Sequence, residues 1–179
     1  MWIGGILLNE EFISARDRIV AASIDIISDA GLVSLSMKSI SMRTNISEAM
    51  LYKYYADTDE ILSDIITTYF KFDSGLYKTL RAKECSYIKK VLMFAESLAS
   101  YYENYYSISA IMLQYEELLH NVKTREAVEY GYVSRRQFLT ELMDNAKENN
   151  EINASLKSEE IVDLILGTIH ICIFSSSSF

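Results

Sequence analysis

The chain contains no proline and only six glycines among its 179 residues, against typical usage of about 5% and about 7%. So few breakers leave helices free to run on, and the composition points to an all-α fold. No stretch alternates apolar and polar residues between turn signals, so a β domain has no support. The two cysteines, Cys85 and Cys172, lie far apart and outside any C-x-x-C. That excludes a zinc finger or a disulfide scaffold and fits reduced thiols inside a cell. Histidine is as scarce: Glu116 and His120 have the spacing of a metal pair but lack a third ligand, and His170 and Cys172 are two apart and point to different faces of a helix. There is no Gly-rich phosphate loop and no supportable Ser/His/Asp grouping. The expectation is a protein with no catalytic residues, no metal and no cofactor, and not an enzyme.

Long apolar runs are also missing. The longest, Leu164–Phe174, falls short of the ~18 residues that span a bilayer. The apolar start, Met1–Leu8, lacks a basic region and meets Glu10 and Glu11 at once, unlike a signal peptide. A cytoplasmic protein without a membrane partner is expected. What the chain does have is 50% apolar and 12% aromatic residues, enough to bury a core at this length.

Ser36–Leu62 carries the most information. Met37, Ile40 and Ser41 share one face of a short helix, and Ile46, Met50 and Leu51 supply the contacts of a second. Ser36 and Ser47 stand at N-cap positions. Between the two helices lies Arg43-Thr44-Asn45-Ile46, and asparagine is the non-glycine residue that best tolerates a left-handed backbone. This is the layout of a helix-turn-helix, which reads DNA. Net charge over the whole chain is −8, which opposes nucleic-acid binding. Within Ser36–Tyr55, however, Lys38, Arg43 and Lys53 stand against Glu48 alone, a local net of +2.

With the preceding helix and Gly31, this stretch resembles the N-terminal domain of the tetracycline-repressor (TetR) family of transcriptional regulators. The resemblance rests on Ile19, Ala22, Ile26 and Gly31, on Ser36 and Ile40, on Ile46-Ser47 and Leu51-Tyr52-x-Tyr54-Tyr55, and on Ile61-Leu62. It covers roughly the first third of the chain. The family usually has Ala, Ala and Gly where this chain has Ser41, Thr44 and Asn45, and Lys where it has Thr58. The resemblance implies a homodimeric, ligand-responsive repressor that binds a palindromic double-stranded DNA operator. The rival from the residues alone is a helical ligand-binding or interaction protein whose acidic, degenerate reader no longer binds DNA.

By chemistry, Ser36, Tyr52, Lys53, Tyr54 and Thr58 suit phosphate contacts, while Lys38, Glu48, Ala49 and Met50 suit base edges. The structural alternative is solvated charges and core tyrosines. Helices are expected over 12–30, 37–43, 47–54, 58–72, 86–105, 107–120, 122–149 and 158–174, with Asp73–Ser86 as the break beyond the reading lobe. Two units follow, a reader over 1–56 and a ligand-binding and dimerisation unit over 57–179. The central helices are rich in tyrosine and methionine, so Met93, Tyr101, Tyr105, Met112, Tyr115 and Tyr132 are candidates to line a pocket for an apolar or aromatic effector. Simple packing is the competing reading. On the seventh helix Arg135, Arg136, Glu141 and Lys147 are expected in solvent. The last helix is apolar on nearly every side and therefore needs cover all round. A second subunit is the expected cover, with Ile161, Ile165, Ile169 and Ile173 at a dimer interface. The family pairs its last two helices there, and this chain stops after the first of them, which implies a reduced interface or a truncated chain.

Overall fold

The computed structural model describes residues 14–105, 111 and 114–176, apart from the side chains of residue 170 and residues 172–176. Among the described residues there are eight α-helices and no strand. They are α1 (Ala15–Ala30), α2 (Met37–Thr44), α3 (Glu48–Leu51), α4 (Thr58–Ala82), α5 (Tyr87–Asn104), α6 (Tyr115–His120), α7 (Val122–Glu148) and α8 (Ser158–Ser176), with a 3-10 turn at Leu32–Ser34. The all-α expectation holds.

Local chemistry sets the boundaries. Helix α1 begins where the Ser14 hydroxyl accepts from the Asp17 amide and ends at Gly31, φ +78°, a backbone that L side chains rarely adopt. Helix α2 opens with a reciprocal capping box, Ser36 Oγ accepting from the Ser39 amide while Ser39 Oγ accepts from the Ser36 amide at 2.9 Å, so two end donors are satisfied. It ends at Asn45, which adopts the left-handed conformation at φ 57°, ψ 23°, as its residue type allows. Ser47 occupies the N-cap position of α3 but makes no side-chain cap. The expected helix over 47–54 shortens to Glu48–Leu51, and Tyr52–Tyr54 form the turn after it.

The larger difference concerns α4. Expected to stop near 72, it runs on to Ala82, so Asp73–Ser86 is not a break between lobes. Gly75 sits in the helix with open space around it. The apolar stripe Ile61, Leu62, Ile65, Ile66, Tyr69, Phe70 continues through Tyr77 and Leu80, all buried. Burial of that continuing stripe outweighs the roughly 1 kcal/mol propensity cost of one glycine. Its start is capped from both sides: Asp57 accepts from the Glu60 amide at 3.0 Å, and Glu60 accepts from the Ala56 amide.

Helices α4, α5 and α8 pack around α7, while α1 packs on α2 and on the first turns of α4. One continuous core runs from Ile19, Ile40 and Leu51 through Ile66 and Tyr69 to Phe94, Phe138 and Leu142. Gly131 lets the Phe70 ring of α4 pack directly against the α7 backbone, because a β-carbon there would drive into that ring. Glu151, from the loop before α8, caps α5 by accepting the Tyr87 and Ile88 amides at 3.0 and 2.9 Å. Within the single chain, α8 is not covered on all sides. Val162 and Ile169 face the core and Ile161 and Ile165 pack at its margin, whereas Leu164 and Ile171 are 73% and 67% exposed. No helix among the described residues is long and apolar enough to cross a membrane.

Candidate DNA-reading surface and buried ionic centre

The α2–α3 unit is held from behind. Ile40, Leu51 and Tyr55 are buried, and the Tyr55 hydroxyl donates to Asp64 at 2.6 Å while accepting from Arg16 Nε at 3.0 Å. Burial, then the bond to Asp64, pushes the Tyr55 phenol up to about 12. Burial also works to raise Asp64, but the Tyr55 hydroxyl and the Arg16 guanidinium outweigh it and hold that carboxyl below the ordinary aspartate range. The elbow has its own lock. Thr44 Oγ1 donates to the Ile40 carbonyl at 2.8 Å and accepts from the Ile46 amide at 3.2 Å, and Arg18 donates to the Thr44 carbonyl at 2.8 Å. A threonine at this position supplies hydrogen bonds that an alanine lacks.

With that backing fixed, the outward side chains are Lys38, Glu48, Ala49, Met50, Tyr52, Lys53 and Tyr54, all exposed. Ser36 is exposed at the head of α2, and Thr58 is half-buried at the head of α4. The structure brings these nine residues to the helix-turn-helix and its flank. Arg43 is drawn aside to Asp29 at 2.9 Å, leaving Lys38 and Lys53 as the cations of this surface without an ion-pair partner among the described residues. Met42, 74% exposed beside them, was not among the sequence candidates.

The overall path and the helix-turn-helix together decide the fold. The chain has the TetR-regulator fold. The crystal structure of the TetR-family regulator PfmR from Thermus thermophilus superposes with a TM-score of 0.80 at 18% identity, over 90% of this chain and 85% of that one. The FadR regulator from Bacillus subtilis, in complex with stearoyl-CoA, gives 0.75 at 16% identity over 88% and 84%. GusR from Salmonella enterica gives 0.72 at 22% identity over 91% and 83%. No protein-family model and no curated protein sequence matches.

In the lobe of this TetR-like chain beyond the reader, the expected pocket residues fall into two groups. Tyr101 stacks on Phe72 with centroids 4.3 Å apart and meets Tyr105 at 4.8 Å; these rings, with Glu96, Ser97 and Asn104, border an open cleft of about 690 Å³. Tyr115 packs edge-on against Tyr132 at 4.5 Å, and Tyr132 reaches Phe70. Met93 packs at the core margin. Met112 and the side chain of Ile173 lie outside the described residues.

Between these groups stands a pair that sequence reasoning missed. Arg135, expected in solvent, is 2% exposed. It donates to Asp73 through Nε at 2.5 Å and Nη2 at 3.2 Å, to the Tyr69 hydroxyl at 2.7 Å and to the Tyr102 hydroxyl at 3.1 Å. The Tyr69 and Tyr102 hydroxyls also meet each other, and the guanidinium lies 5.1 Å from the Tyr69 and Phe70 ring centroids. Burial opposes the Arg135 charge, but Tyr102 and Asp73 outweigh it and raise its pKa. For Asp73 burial wins over the pull of Arg135 and its carboxyl moves up. The two directions differ because Asp73 has one cation to offset its desolvation while Arg135 has four oxygens from three residues around it; the two-pronged contact favours the charged pair. The stripe Val128, Gly131, Arg135, Phe138, Leu142 was the available signal, since it places the charge on the buried face.

Proposed function

We propose that the chain is a homodimeric, ligand-responsive DNA-binding transcriptional repressor acting in the cytoplasm on a palindromic operator. Residues 1–56 form the reader in this proposal, and 57–179 form the effector-binding and dimerisation unit. The observation that carries it is the division of side chains on α2, α3 and the turn after α3: Ile40, Leu51 and Tyr55 fix the unit from behind, while Lys38, Met50, Tyr52, Lys53 and Tyr54 are left outward. A helix-turn-helix presents its second helix to the major groove in this way, with flanking donors on phosphates. In the dimer two such readers stand about 34–36 Å apart. On α8 the exposed Leu164 and Ile171 suit the second subunit better than Ile169, which faces its own core.

The effector in this reading is an apolar or aromatic small molecule held by the tyrosine-rich lobe, and the stearoyl-CoA in the Bacillus subtilis neighbour supports a small-molecule effector in general. Helix α4 shares one buried core with the reader, Ile61 and Leu62 lying in the same cluster as Ile40 and Leu51, and meets the tyrosine lobe through Tyr69 against Tyr101 and Phe70 against Tyr132. An effector changes DNA affinity only by favouring one placement of the readers over another. Selection of bound duplexes from a random pool, followed by titration at rising salt, tests the proposal. A two-fold site whose affinity falls steeply with salt is expected. Absence of any specific duplex at low salt would favour the degenerate-reader alternative.

A further inference from the structure

The outward face of α2 and α3 offers no unpaired arginine. The three arginines among the first 57 residues are tied to the scaffold: Arg16 to Tyr55 and Asp64, Arg18 to the Thr44 carbonyl, and Arg43 to Asp29 at 2.9 Å. Neither helix carries an asparagine or a glutamine. The two side-chain forks that bond a purine at two points, guanidinium on guanine and carboxamide on adenine, are therefore both missing from this face.

What α3 presents instead is Glu48, Ala49 and Met50, all exposed, with Leu51 turned to the core. Two of those three outward side chains are apolar. Met50 is 41% exposed, and Met42 on α2 is 74% exposed, whereas Met37 and Met143 are buried and Met93 packs at the core margin. Among the described residues, both exposed methionines thus lie on this one surface. An apolar side chain held in water gains free energy on meeting an apolar partner. In the major groove the apolar feature that a base pair offers is the C5 methyl of thymine.

We infer that α3 recognises its duplex through thymine methyls, so that each half-site carries thymine against Ala49 and Met50. The inference rests on the DNA binding proposed above and names the class of duplex bound. Glu48 adds a filter, because its carboxylate accepts from the cytosine amine and repels the acceptors that guanine presents. Lys38, on α2, brings a point charge without two-point geometry. Burial of a methyl releases no counter-ions, so the preference for thymine is independent of salt while the total affinity falls as salt rises.

The test uses the full chain and a duplex taken from the random-pool selection, with each thymine replaced in turn by uracil, which removes only the C5 methyl. In each half-site uracil should weaken binding about fourfold at one thymine or more, the factor that one buried methyl supplies. That factor should be the same at low and at raised salt. Met50→Ala should erase the thymine–uracil difference at the position it faces, and Met50→Leu, apolar and of similar size, should keep it. Arg43→Ala should leave base preference unchanged. A specific duplex that tolerates uracil at every thymine would overturn the inference and leave DNA binding standing. So would a thymine–uracil difference undiminished at every position in Met50→Ala, or a loss of base preference in Arg43→Ala. Failure to select any specific duplex would overturn the DNA-binding reading and this inference with it.

Discussion

Replacing Arg135 by methionine keeps much of the side-chain volume but strips the buried centre of its only cation. Asp73, with a side chain 3% exposed, would then face an apolar surround with no counter-ion, and Tyr69 and Tyr102 would lose a donor each. Removing one member of a buried pair costs about 3–5 kcal/mol, a large share of the ~5–15 kcal/mol that holds a domain folded. At ~2–4 °C per kcal/mol for a chain of this size, the thermal midpoint should drop by about 6–20 °C. The pair itself is another matter, since the folded state has already met the cost of desolvating it. Asp73→Leu combined with Arg135→Met should recover most of the loss, because a well-packed apolar replacement of a buried ion pair is often neutral or stabilising. Urea denaturation of wild type, both single variants and the double variant gives the coupling energy directly. A loss under about 0.5 kcal/mol in Arg135→Met, the size of a surface change, would refute the reasoning, as would a double variant no more stable than Arg135→Met alone.

Gly131→Ala forces the Phe70 ring to shift and should destabilise by about 1–3 kcal/mol despite alanine's better helix propensity, readable as a lower thermal midpoint; a stabilised variant would show that α4 and α7 have slack between them. Because Asp64 sits below the ordinary aspartate range, its contribution is present above the unfolded value and is lost as pH falls through the folded one. Wild type should therefore exceed Asp64→Asn in stability at pH 7 and lose that advantage as pH falls below 3.8, followed by denaturation at several pH values. In DNA binding, Tyr52→Phe should weaken all duplexes alike, whereas Lys38→Ala or Glu48→Ala should change preference at particular base pairs by about 1–3 kcal/mol; unchanged preference in both would remove them as base readers. Leu164→Glu should yield monomers in sedimentation at a dimer-forming concentration, and an intact dimer would move the interface off this face of α8.

Much of the helix-turn-helix was legible because its signals are local. Ser36 caps its own helix, Asn45 bends its own turn, and the stripe Ile61, Leu62, Ile65 declares the face that α4 buries. The length of α4 was not, because Gly75 and the charges Lys78, Arg81 and Lys83 read as a link, and only packing against α7 shows that Tyr77 and Leu80 extend the buried stripe. Arg135 and Asp73 were hidden for a related reason. A charge looks solvated until a partner from 62 residues away is placed opposite it. The apolar last helix misled in the other direction, since hydrophobicity alone does not say which isoleucines face the subunit's own core.

The continuity of α4 has a mechanical consequence. At about 1.5 Å per residue, Thr58 stands roughly 22 Å along the rod from Asp73, where the Arg135 pair pins it to α7. A rotation of about 5° about that pin sweeps the end beside the reader through ~2 Å, comparable to the spacing tolerance of a hydrogen bond to a base or phosphate. The pin can serve as a fulcrum and the first four turns of α4 as the long arm of a lever, so a sub-ångström repacking of Phe70 against Gly131, one turn from the pivot, reaches the end beside the helix-turn-helix several times larger.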